Sequence, residues 1–219
     1  MKTLIFHLAM ARSRNTLIAK YGMPFWHSFK RRSGAIFREI APELPDLGKS
    51  LFWFNFQFAP AYAAWYKALT ELGWSRDEAT EIIWTINERL ATIIPRPFLH
   101  MAGKAYFSGF RKKAPAHELR QKRGELHPWD WTIHSREINQ NAFEIDITRC
   151  AMQRFAREHG AEGMLPGICR MDYLFSWLMG NGFQRTKTLG DGDDCCNCSY
   201  RLEGTCEWSG TVKNLSQNG

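Results

Sequence analysis

The chain has 219 residues, 44% of them apolar and 23% charged, a balance that suits a globular protein with a substantial core. No apolar stretch approaches the roughly 20 residues that a bilayer crossing needs, so no membrane partner is expected. The net charge of +7 is uneven: residues 1–140 carry 21 Lys/Arg against 12 Asp/Glu, and residues 141–219 carry 8 against 10.

Met1 to Met10 imitates a short signal peptide, but His7 interrupts the apolar run and Arg12 and Arg14 follow it, so a cytoplasmic location is expected. Residues 1–45 read as one or two helices that end in Ala41-Pro42-Glu43-Leu44-Pro45. Phe52, Phe54, Phe56 and Phe58 alternate as in a strand, yet the neighbouring alanines and aromatics suit a buried helix equally well. This aromatic region, 52–66, suits a core or a contact between copies and leaves a homo-oligomer open. Ser75 to Glu78 form a capping box, and Ala79, Ile82, Ile83, Ile86, Leu90 and Ile93 then line one helical face up to Pro95. Residues 111–141, polar and basic with Pro115, Gly124 and Pro128, read as a connection or insertion. The basic runs Lys30-Arg31-Arg32, Arg111-Lys112-Lys113 and Arg120 to Arg123 lack any nucleic-acid-binding signature, so they read as solvated helix ends and loops and no nucleic-acid partner is expected.

Beyond residue 140 the texture changes. Phe143, Ile145 and Ile147 alternate with polar residues in a half-buried strand that delivers Arg149 and Cys150 at its end. A helix from Ala151 to His159 stops at Gly160, and a second runs from Pro166 to Gly180. Phe183–Leu189 and Cys196–Leu202 read as strands joined by the Gly190 to Asp194 turn. The pattern predicts an α+β fold: a helical N-terminal part packed with a small antiparallel sheet and helices in the C-terminal part. Its expected divisions are a mainly helical region 1–125, a site-bearing α+β region 126–203 of the same domain, and a loose tail 204–219, which contains the formal glycosylation match Asn214-Leu215-Ser216.

All six cysteines lie at or beyond position 150, three of them within residues 195–198, where mutual pairing is awkward. Reduced thiols serving as nucleophile, ligand or packing are therefore expected. Cys169 and Asp172 share a helical face with Ser176, and Asp172 interrupts an apolar run, where a carboxylate needs a partner or a task. His127 and His134 flank Trp129-Asp130-Trp131 and could offer a base, although surface or packing roles fit them better.

The strand Phe143–Cys150, Gly160, the Ile168-Cys169-Arg170-Met171-Asp172 run, the Phe183–Leu189 run and the Gly190–Ser199 turn and strand resemble, in order and spacing, the L-2-amino-thiazoline-4-carboxylic acid hydrolase family over residues 140–202. In that family a cysteine follows the first strand and a Cys-x-x-Asp pair sits on the next helix. An Arg-Thr-x-Thr-Leu strand then leads through a Gly-Asp turn into Cys-Asp-Phe. Here that last motif is Cys196-Asn197-Cys198, a loss of charge with expected consequences for substrate and acid/base chemistry.

The resemblance implies a hydrolase that opens a small cyclic amidine at a carbon–nitrogen bond. In the namesake reaction, water adds to C2 of the aminothiazoline ring, which opens to N-carbamoyl-cysteine. It implies Cys169 or Cys196 as nucleophile, Asp172 orienting the amidinium and moving protons, and Cys150 as a further site thiol. Arg149 or Arg170 would supply a positive field. Substrate contacts would come from Arg149, Asp194, Asn197 and Ser176. A small-molecule substrate and no cofactor are expected. The alternative is a metal held by Cys150, Cys169 and Cys196, in an enzyme or in a non-catalytic ligand-binding module. Against the metal stand the lack of a Cys-x-x-Cys pair and of a histidine at metal spacing.

Overall fold

The computed structural model describes residues 1–207, and its architecture is α+β. Helix α1 (Lys2–Ile40) is bent at Gly22, whose φ of 86° lies in the region only glycine enters at no steric cost, and Pro24 just beyond it lacks the donor that would straighten the ladder. A 3-10 turn at Ala41–Glu43 ends this arm. The alternating phenylalanines form no strand. Phe54 and Phe56 lie in the short helix α2 (Trp53–Phe56), Phe52 in the turn before it and Phe58 at the N-cap of α3 (Ala59–Glu71), with Phe56 fully buried and Phe54 exposed. Helix α4 (Arg76–Ala91) starts as expected: Ser75 Oγ accepts the Glu78 N–H at 3.3 Å and the Glu78 carboxylate accepts the Ser75 N–H at 2.9 Å.

The chain forms two compact units that alternate along the sequence. The first holds Met1–Asp46, Phe54–Ile93 and Arg154–Ile168, and is helical. Ile82, Ile83 and Ile86 of α4 are wholly buried in it, and Phe6 stacks on Phe37 at 4.3 Å. Its buried polar groups are paired: Tyr62 donates to Asn87 Oδ1 at 2.7 Å, and Asn87 Nδ2 donates to the Gly167 carbonyl at 3.1 Å.

The second unit holds Leu47–Trp53, Ile94–Gln153 and the described residues from Cys169 onward. Its strands are β1 (Thr132–Asn139), β2 (Ala142–Arg149), β3 (Gly182–Gln184), β4 (Cys196–Arg201) and β5 (Cys206–Glu207). They form one sheet in the order β1-β2-β4-β3-β5, antiparallel except for the β3–β5 pair. The tail expected to be loose from 204 contributes β5, and its remainder, with Asn214, lies outside the described residues.

Residues 111–141 are no connection. Helix α5 (Arg96–Lys122) runs through Pro115, and β1 follows. The polar residues that hid this helix act as its fastening to the sheet edge. Gln121 accepts the Ile133 N–H at 2.8 Å, and Glu118 accepts both the N–H and the hydroxyl of Ser135 at 2.8 Å, so helix side chains satisfy the outward donors of an edge strand. Burial pushes the Glu118 carboxyl up, but Lys122 and Ser135 together draw it down to about 2.

Helix α6 (Ala151–Glu158) stops before Gly160 as predicted. The helix expected over 166–180 is two, α7 (Leu165–Cys169) and α8 (Met171–Met179), with a jog at Arg170 and a left-handed stop at Gly180. Helix α8 packs on α5, where a Cβ on Gly103 would lie 2.2 Å from the Met179 carbonyl oxygen. The strand expected over 183–189 ends at Gln184. Beyond it, side chains take the backbone donors a neighbouring strand would have used. Asn197 Oδ1 accepts the N–H groups of Thr186 and Lys187, and Asp193 accepts that of Thr188. No helix among the described residues is long and apolar enough to cross a membrane.

Candidate active site

The sheet register sets one end of the second unit. Ile147 of β2 pairs with Cys196 at the start of β4, and Arg149 pairs with Thr132 at the start of β1. Cys150 therefore leaves β2 at the end where β4 begins. Alternation then sends Cys196 and Cys198 to the buried face, where they pack with Tyr173 and Phe183.

The loop that leaves β3 returns over this end. The Leu189 N–H donates to Cys196 Sγ at 3.3 Å, and the Thr188 hydroxyl lies 3.5 Å from Cys196 Sγ and 3.8 Å from Cys169 Sγ. Gln153, in the first turn of α6, holds the loop by donating to the Leu189 carbonyl at 2.8 Å. The sulfurs of Cys150, Cys169 and Cys196 lie within electrostatic reach of one another. Burial pushes the Cys150 thiol up to about 12, and the neighbouring sulfurs add to the shift. Burial does the same to Cys169, up to about 12, against the opposing pull of Arg185. Both are S–H groups at neutral pH. Cys198, also raised by burial, is packed in the core cluster.

The cation of the site is Arg185. Its side chain is only 4% exposed. Nη1 donates to Asp172 Oδ2 at 2.7 Å, Nη2 donates to the Cys169 carbonyl at 2.8 Å, and the guanidinium lies 5.4 Å from the Tyr173 ring centroid. Tyr173 in turn donates to the Arg185 carbonyl at 2.9 Å. Burial disfavours the charge on Arg185, but Asp172 holds it protonated. Desolvation raises the Asp172 carboxyl against the pull of Arg185, while its side chain stays 42% exposed and open to a ligand.

Of the residues singled out from sequence, Cys150, Cys169, Asp172 and Cys196 come together here. Four others stand apart. Arg149 is exposed at the end of β2. Asp194 is exposed and pairs with Lys187 at 3.0 Å. Asn197 points to the opposite face of β4 from Cys196, where its amide pins Thr186 and Lys187. Ser176 is buried on α8, and no hydrogen bond among the described residues joins its side chain to the thiols. Arg170 is buried in the jog before α8, and Arg185 replaces it as the charge facing the sulfurs. His127 accepts the Trp129 N–H within its own loop, and His134 is exposed near Glu118.

Two residues in contact with this cluster carry no assignment from sequence, Arg185 and Thr188. Their signal lay in the Arg185-Thr186-Lys187-Thr188 run itself, which a strand reading placed on alternate faces. Among the described residues, no group of three or more His, Cys, Asp or Glu side chains is arranged to hold a metal ion.

A family model described as L-2-amino-thiazoline-4-carboxylic acid hydrolase matches residues 55–200. The match extends well into the helical part, beyond the stretch that carries the resemblance in sequence. No curated protein matches the chain.

Proposed function

The chain belongs to the L-2-amino-thiazoline-4-carboxylic acid hydrolase family, and from that premise we propose that it opens a 2-aminothiazoline-type ring with Cys196 as nucleophile and Cys169 as proton donor. The atom balance of the namesake reaction departs from the expected carbon–nitrogen cleavage. N-carbamoyl-cysteine keeps both nitrogens on the former C2, so the bond that breaks is the ring C2–S bond and not a carbon–nitrogen bond. The Cys196 sulfur adds to C2, and the ring sulfur departs with a proton as a free thiol. An isothiourea then links C2 to Cys196. Water adds to that carbon, Cys196 leaves with its proton restored, and the resulting isourea tautomerises to the carbamoyl product. One water is consumed and no redox partner is needed.

The observation that carries this reading is the convergence on Cys196, whose sulfur receives the Leu189 N–H at 3.3 Å beside the second thiol, Cys169. An N–H aimed at sulfur favours the charge that develops during attack and departure. Cys169, protonated at neutral pH, suits a proton donor to the leaving sulfur. Asp172, fixed by Arg185 yet part-exposed, can accept from the amidine nitrogens of the substrate.

The test is incubation of the full chain with 2-aminothiazoline-4-carboxylate, with N-carbamoyl-cysteine followed by chromatography and mass spectrometry. Product is expected from the wild type. Cys196→Ser should lose more than about 10³-fold in kcat, as a removed nucleophile does. Absence of product from wild type, or a Cys196→Ser variant at the wild-type rate, overturns the proposal.

A further inference from the structure

Thr188 is 5% exposed, and its hydroxyl touches both site sulfurs. A hydroxyl has one proton to give and two lone pairs to receive with. The Gly190 N–H, 3.3 Å away, occupies one lone pair. The single proton can go to only one of the two sulfurs. The other sulfur is then placed to donate its own proton to the remaining lone pair. In the direction Thr188 to Cys169 at 3.8 Å, the donor into Thr188 is Cys196 at 3.5 Å. Every hydrogen-bonding capacity of the hydroxyl is then used, and the three groups form a directed chain.

We infer that Thr188 is a proton relay that carries the Cys196 proton to Cys169 as Cys169 gives its own to the departing sulfur. The inference rests on the reading of these two thiols as nucleophile and proton donor. As Cys196 attacks C2, its proton passes to Thr188 Oγ1, the Thr188 proton passes to Cys169 Sγ, and the Cys169 proton passes to the ring sulfur. Each group ends with the same number of protons except Cys196, now bonded to carbon, and the leaving thiol. In the second half the chain runs backwards: water gives a proton to Cys169, Cys169 to Thr188 and Thr188 to Cys196, while the hydroxide goes to carbon. The Leu189 N–H, fixed on Cys196 throughout, holds the sulfur in place during both passages. Among the described residues, the charged and titratable groups around this chain include Cys150 at the end of β2, Cys198 two residues beyond Cys196 on β4, Asp172 facing Cys169, and Arg185 facing both Cys169 and Cys196.

The experiment uses Thr188→Val, which keeps the side-chain shape and deletes the hydroxyl, and Thr188→Ser, which restores it. Thermal unfolding establishes that both variants fold. In the protein alone, the rate of Cys196 alkylation by iodoacetamide, read by peptide mass spectrometry, should fall about tenfold in Thr188→Val and recover in Thr188→Ser. With substrate, Thr188→Val should lose about 10²-fold in kcat with KM unchanged, the size of a general acid–base contribution, and its solvent deuterium isotope effect should change. Thr188→Ser should return to within about threefold of wild type. Wild-type alkylation and turnover in a folded Thr188→Val overturn the relay, as does a folded Thr188→Ser that behaves like the valine variant. If wild type turns over no aminothiazoline, the proposed reaction falls, and the alkylation rates alone decide the relay.

Discussion

The Arg185–Asp172 pair should be unequal in its two halves. Arg185 is 4% exposed and Asp172 is 42% exposed, so each half leaves a different remnant when the other is removed. Asp172→Ala strands a guanidinium with no route to water. Breaking a buried pair in this way costs about 3–4 kcal/mol. Arg185→Met leaves a carboxylate that can turn to solvent, and the methionine still fills the space beside the Tyr173 and Phe183 rings. It still forfeits the bond to the Cys169 carbonyl, so a cost of about 2 kcal/mol is expected. The double variant removes both charges together and should cost about 2–3 kcal/mol, well below the sum of the singles. Urea unfolding at pH 7 measures all three. Arg185→Met as the worse single variant, or two effects that add to within about 0.5 kcal/mol, would refute the unequal pair.

Three further outcomes follow from the same geometry. Glu118→Gln should be destabilising at pH 7. The folded Glu118 carboxyl lies at about 2, below its unfolded value, so its contribution is complete above the unfolded pKa and is lost as pH falls towards 2. Stabilities of wild type and variant, measured by urea unfolding from pH 7 downward, should therefore converge in acid; a gap that is constant with pH refutes the assignment. Asn197→Asp, which restores the acidic residue of the family motif, should leave turnover within about threefold, a change too small for loss or gain of an acid/base group. A carboxylate accepts the Thr186 and Lys187 N–H groups as the amide does, away from the thiols, and a tenfold gain in kcat would show that the side chain reaches the reaction. Gly103→Ala should lower thermal stability by about 1–3 kcal/mol of overpacking, because the new methyl meets the Met179 backbone at 2.2 Å and not a movable side chain; an unchanged melting temperature would mean that α5 and α8 part easily there.

What could be read from sequence was local. The Ser75 capping box, the α4 apolar face, the Phe143–Ile147 alternation and the stops at Gly160 and Gly180 each depend on neighbours within a few residues, and each is present in the structure. Helix α5 was lost because its partner is a strand edge and not an apolar core. Gln121 and Glu118 face strand donors, so polar residues occupy positions where an amphipathic pattern would show leucines. The aromatic alternation at 52–58 left strand and helix undecided for the opposite reason. Burial there is unequal, with Phe56 enclosed and Phe54 exposed, and period two in the letters did not correspond to two faces of a sheet.

The thiols were legible and the groups that control them were not, and one cause accounts for both. Cys150 and Cys196 stand at element ends that periodicity locates, and Cys169 stands within the run that periodicity marks as helical. Arg185 and Thr188 stand in a segment that has the letters of a strand but lacks a strand's neighbour. Asn197 and Asp193 capture its N–H groups, the alternation fails after Gln184, and two residues three apart face the same sulfurs. The departure from the family motif at Asn197 therefore acts on position before it acts on chemistry. The residue holds the loop that delivers the cation and the hydroxyl, and either Asn or Asp can accept those two donors. The chemistry depends on what the loop carries, which places the burden of the site on Arg185 for charge and on Thr188 for the path of the proton.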